Sequence, residues 1–127
     1  MDILFIDPPW IIENDANLWK KVRSCLPSLG IASIAGFLEQ HGCTASILDC
    51  TAEQLALQCV PARLAEFQAP GPRFIGITAT SAVIHAALEI ARIAKSAFPE
   101  CKVILGGVHP TVEPESVLNW EGFPQTS

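Results

Sequence analysis

The chain has 127 residues, 50% of them hydrophobic and 17% charged, and a formal net charge of −5. That length allows one domain with a real core, and the composition excludes a disordered tail. The acidic balance argues against a nucleic-acid surface, and no apolar run reaches the roughly 18 residues a membrane span requires.

The start, Met1-Asp2-Ile3-Leu4, lacks a basic stretch and enters a strand pattern at once, which is not the pattern of a signal peptide. The five cysteines, Cys25, Cys43, Cys50, Cys59 and Cys101, are odd in number and form no CxxC pair. They read as reduced thiols serving as small core hydrophobes, and a cytoplasmic location follows as the expectation.

Ile3 to Ile6 is an apolar run closed by Asp7-Pro8-Pro9, the first strand, expected in the centre of the sheet. From Pro8 to about Pro27 no period is visible, and such a stretch usually means a functional loop or poor order. Its Trp10, Trp19, Lys20, Lys21 and Arg23 suit either a cover over a ligand or a cover over the sheet. Ser28 then caps a helix whose apolar face is Ile31, Ile34, Ala35 and Leu38, and Gly42 stops it. His41 lies near the helix end, where the dipole favours it.

Ala45 to Asp49 reads as a second strand, nearer the edge. Thr51-Ala52-Glu53-Gln54 matches a capping box and predicts a helix from there, kinked or broken at Pro61. After the turn at 69–72, Phe74 to Thr78 is the third strand, running into Ala79-Thr80-Ser81. A long amphipathic helix follows, with Ile84, Leu88 and Ala91 in one stripe and Val83, Ala87, Ile90 and Ala94 beside it. Val103-Ile104-Leu105 predicts a fourth strand buried on both faces, ending at Gly106-Gly107, and Glu113-Pro114-Glu115 opens one more helix.

This alternation predicts an α/β fold, a flavodoxin-like (Rossmann-like) three-layer sandwich around a parallel sheet of order 2-1-3-4. No fifth strand follows, so the domain, residues 1–127, is expected to be incomplete at its C-terminus. Strand 4 would then be an open parallel edge, and dimerisation or loop rearrangement through it is the expectation. Ligands in such sheets bind outside the carboxyl ends of the strands, which here gathers Asp7-Pro8-Pro9, Thr78-Ala79-Thr80-Ser81 and Gly106 to His109. Neither the GxxxxGK[ST] phosphate loop nor GxGxxG is present, and no serine sits in GxSxG. Receiver-type phosphotransfer lacks its acidic pair, and a flavodoxin phosphate loop is replaced by two prolines. No catalytic residue is assigned. What remains is a platform of small residues and hydroxyls, suited to a large planar ligand.

Pro27 to Ala35, Ile47-Leu48-Asp49, Ile75 to Thr78, and Gly106 to Thr111 with Pro114-Glu115 together resemble the cobalamin-binding domain. The resemblance is to the version fused in front of radical S-adenosylmethionine enzymes, such as anaerobic magnesium-protoporphyrin ester cyclase, and it covers nearly the whole chain. It implies a corrin over the strand ends, with the nucleotide tail threaded between strands and helices. The site residues it implies are Asp7, Pro8, Pro9, Leu29, Gly30, Thr78, Thr80, Ser81, Gly106, Gly107, His109, Pro110 and Thr111. Mutase-type relatives carry Asp-x-His-x-x-Gly after the first strand, with the histidine below cobalt. Here Asp7 begins that loop, but Pro9 and Ile12 stand at the histidine and glycine positions. Cobalamin is therefore expected base-off without that ligand, and no residue is assigned to the metal. His109 is expected to hydrogen-bond the corrin or its tail. The CxxxCxxC of an iron–sulfur site is absent, so the cluster, S-adenosylmethionine and the catalytic domain would belong to an absent part of the same chain. The alternatives are a flavodoxin-like domain for another nucleotide or flavin, and a cofactor-free interaction module.

Overall fold

In a computed structural model of the chain, the residues described are 1–9, 29–67, 71–80 and 83–119. The strands are β1 (Ile3–Asp7), β2 (Ala45–Asp49), β3 (Phe74–Thr78) and β4 (Lys102–Gly106). The helices are α1 (Leu29–Gln40), α2 (Val60–Ala65, entered through a 3-10 turn at Leu57–Cys59), α3 (Ile84–Ala97), α4 (Val108–Val112) and α5 (Pro114–Leu118). All strand pairs are parallel and the order is β2-β1-β3-β4, as the alternating pattern predicted.

Side chains alternate across a strand, so each strand feeds both faces of the sheet. One face carries Leu4, Ile6, Leu48, Ile75, Ile77 and Val103, packed under Val60 and Leu64 of α2 and the Ile84-Ala87-Leu88-Ala91 stripe of α3. Full burial of each such side chain contributes about 1.5–3 kcal/mol, so this face holds the fold together. The opposite face has a much smaller cluster, Phe5 of β1 with Ile31 and Ala35 of α1.

Two expectations are corrected here. β4 is not buried on both faces: Val103 is buried, but Ile104 is 51% exposed. The reason is coverage, because α1 lies over the β1 side of the sheet and no described helix lies over β4 on that face. The capping box at Thr51 does not form either. Asp49 instead accepts hydrogen bonds from the Thr51 and Ala52 backbone N–H groups (3.1 and 3.0 Å), and Gln54 has φ of +52°, which no helix continues through. The helix starts later, and Pro61 stands in its first turn, where a missing N–H costs nothing, instead of breaking it.

Other expectations hold in detail. Gly42 ends α1 with φ of +85°, and the His41 ring nitrogen Nδ1 lies 2.8 Å from the Phe37 carbonyl of the last turn. The loop of Trp10 to Arg23, the Ser28 cap and Ser81 lie outside the described residues.

Candidate functional site

The glycine pair that ends β4 shapes the site. Gly107 has φ of +100°, and a Cβ there would lie 2.8 Å from the Ala79 carbonyl oxygen and 3.0 Å from the Thr78 hydroxyl. Only glycine fits this backbone and this close approach. The approach is fastened by hydrogen bonds: Ala79 N–H donates to the Gly106 carbonyl (2.9 Å), and His109 N–H donates to that of Ala79 (3.2 Å). The Thr111 hydroxyl closes the turn by donating to the Gly107 carbonyl (2.6 Å). The ends of β3 and β4 thus form one rigid shelf.

Gly106 is different. A Cβ at this position meets no atom within 4 Å. The open space beside it belongs to a cleft of about 280 Å³ lined by Phe5, Gly30, Ile31, Ile34, Gly76, Ile77, Thr78, Ile104, Gly106 and Gly107. The cleft runs between α1 and the sheet, down the thinly covered face. Its depth follows from register: Phe5, Gly76 and Ile104 are consecutive partners across β1, β3 and β4. Gly76 is the gap between two large side chains, and a Cβ there would lie 2.9 Å from the Phe5 ring.

Of the residues expected from sequence, Gly30, Thr78, Gly106 and Gly107 line this cleft. Asp7, Pro8 and Pro9 stand at the end of β1, with both prolines buried, and Leu29 is 79% exposed at the start of α1. Thr80 is exposed beyond β3, while His109, Pro110 and Thr111 sit on α4, outside the cleft lining. Phe5, Ile31, Ile34, Gly76, Ile77 and Ile104 were missed. A glycine inside an otherwise β-branched strand was the signal for Gly76, since it marks a close approach. The isoleucines carried none, because an apolar residue in a strand or helix reads first as core.

Electrostatics at the ends of β1 and β2 are unusual. Asp7 and Asp49 are register partners. Burial, and secondarily the charge of Asp49, holds the Asp7 carboxyl above its ordinary range. Cys50, fully buried beside them, is pushed up to about 12, first by burial and then by the charges of Asp7, Asp49 and Glu53. It is a neutral thiol, unsuited to nucleophilic chemistry. Among the described residues, no three His, Cys, Asp or Glu side chains gather as a metal site.

The strand ends thus present a shelf of small residues with an apolar cleft descending beside it. The model of the B12 binding domain family matches residues 18–125. The chain belongs to this family. The B12-binding chain is also 32% identical, over 119 residues, to an uncharacterized methyltransferase of Pyrococcus horikoshii. That alignment covers 93% of this chain and 24% of the relative, so the chain spans about a quarter of the relative's length. No solved structure matches it significantly. The match supports cobalamin as ligand and agrees with the sheet order and the Rossmann-like fold. No described helix is long and apolar enough to cross a membrane.

Proposed function

We propose that this B12-binding domain holds cobalamin base-off, with no histidine from the β1 loop below cobalt, as the cofactor-binding part of a radical S-adenosylmethionine enzyme in the cytoplasm. The observation that carries the reading is the cleft. Its volume of about 280 Å³ lies just under the ~300–1,000 Å³ of sites that enclose a whole small ligand. It suits an arm of the cofactor, the nucleotide tail, while the corrin lies on the shelf outside. The open Cβ direction at Gly106 fits such an arm, and the close approach of Gly107 to Ala79 fixes the shelf beside it.

In this reading Gly106 admits the tail, Gly107 fixes the shelf beside it, and the Thr78 hydroxyl hydrogen-bonds the tail. Asp7, Pro8, Pro9, Leu29, Thr80, Ser81, His109, Pro110 and Thr111 surround the corrin. Bound cobalamin supplies a cobalt that accepts and donates a methyl group, and the name of the Pyrococcus horikoshii relative, a methyltransferase, agrees with that chemistry. The iron–sulfur cluster and S-adenosylmethionine belong to the catalytic domain, whose place is in a longer chain. A second copy of the chain, pairing at β4, is the further partner we propose.

The test is to mix the purified chain with hydroxocobalamin, remove free ligand and record the visible spectrum. A retained base-off corrin spectrum is the expected result. A retained base-on spectrum overturns the placement of the tail. Retention of a flavin and of no corrin, also by a longer chain that includes the domain, overturns the cobalamin reading.

A further inference from the structure

Cobamides share one corrin and differ in the aromatic base at the end of the nucleotide tail, which is a benzimidazole, a purine or a phenol. The walls of the cleft bear on that difference. The side chains of Phe5, Ile31, Ile34 and Ile104 surround it, and among the described residues Thr78 supplies the one polar side chain on the lining. At the level of Gly76, β3 pairs with β1 on one side and β4 on the other, so its backbone is engaged in the sheet. The Phe5 ring lies against Gly76 and offers a flat apolar wall.

A purine brings an exocyclic amine and several ring nitrogens, each of which loses its water on entering such a space. Thr78 can satisfy one of them. A benzimidazole brings one free ring nitrogen, within the capacity of that single hydroxyl, and its carbon edges bury favourably against the isoleucines. We propose that this cleft selects cobamides whose lower base is a benzimidazole over those with a purine, with Ile34 and Ile104 as the residues that enforce the choice. The inference rests on the cobalamin reading given above.

The experiment is a set of binding titrations of the purified chain, followed by visible absorbance, with three probes: cobalamin, adeninyl cobamide, and cobinamide, which has no tail base. Cobalamin is expected to bind at least about tenfold more tightly than either of the others, a difference of about 1.4 kcal/mol. Ile34→Asn and Ile104→Asn place an amide in the cleft at positions 53% and 51% exposed, so the fold tolerates them, and circular dichroism checks this. Both variants are expected to narrow the preference for cobalamin over adeninyl cobamide. Equal binding of cobalamin and adeninyl cobamide, or variants with an unchanged preference, overturns the selectivity while leaving cobalamin binding intact. Cobinamide binding as tightly as cobalamin overturns the placement of the base in the cleft. Failure of all three probes overturns the cobalamin reading itself, and the selectivity with it.

Discussion

Two neighbouring glycines do opposite jobs, and single substitutions separate them. Gly106→Val adds its branches to open space, so the melting temperature is expected to stay within a few degrees while cobalamin affinity falls by about tenfold or more, read by titration. Gly107→Ala meets both a positive φ and the Ala79 carbonyl. It is expected to destabilise the protein by about 1–3 kcal/mol in chemical denaturation. Asp7 carries a pH signature. Its folded carboxyl sits above the ordinary value of 3.8, so its stabilising contribution is complete below that value and is lost as pH rises through the folded one. Asp7→Asn is therefore expected to be more stable than the parent at neutral pH, the difference closing as the solution is acidified toward 3.8. Among the thiols, exposed Cys59 is expected to alkylate quickly, while buried Cys50 and Cys101 react only on unfolding. Peptide mapping after iodoacetamide treatment reads this.

The elements divide unequally between the two sheet faces. Leu64 of α2 and Ile77 of β3 are buried in the larger core, and truncation of either to alanine is expected to cost about 2–5 kcal/mol. Phe37 of α1 is mostly exposed and stacks on His41. Phe37→Ala should stay within about 0.5 kcal/mol of the parent, as surface changes usually do. Equal losses for Leu64→Ala and Phe37→Ala in urea titrations would show that the thin face is covered in solution. The elements also show where local signals compete. Thr51 and Glu53 have the right spacing for a cap, but Asp49 reaches the nearby N–H groups first, and Glu53 pairs with Arg63 instead (3.1 Å). The two short helices after Gly107 divide at Glu113, with Pro114 in the first turn of the second, as its position in the sequence predicted.

At the scale of the whole molecule, β4 pairs on one side with β3 and, among the described residues, with no strand on the other. A parallel edge of this kind recruits partners. Dimerisation of the chain is the expected outcome, checked by sedimentation across a concentration series, and a monomer at every concentration would count against pairing at β4. The exposed residues Phe74, Ile104 and Ile34 lie on the same thin face, so cobalamin binding and self-association are expected to influence one another.

The sequence by itself determined the layers and their order. Apolar strands of fixed length alternating with helices leave few topologies, and the run of Ile3 to Ile6 demanded a central position while Ala45 to Asp49 did not. It also marked the strand ends at Thr78, Gly106 and Gly107, because hydroxyls and glycines after apolar strands are local signals. The tertiary structure alone decided the cleft. Phe5, Gly76 and Ile104 are far apart in the chain and meet only through strand register, and which face of the sheet remains thin depends on where the helices lie. Burial belongs to the assembled layers and not to any one segment, which is why Ile104 read as core and lines the half-open cleft instead.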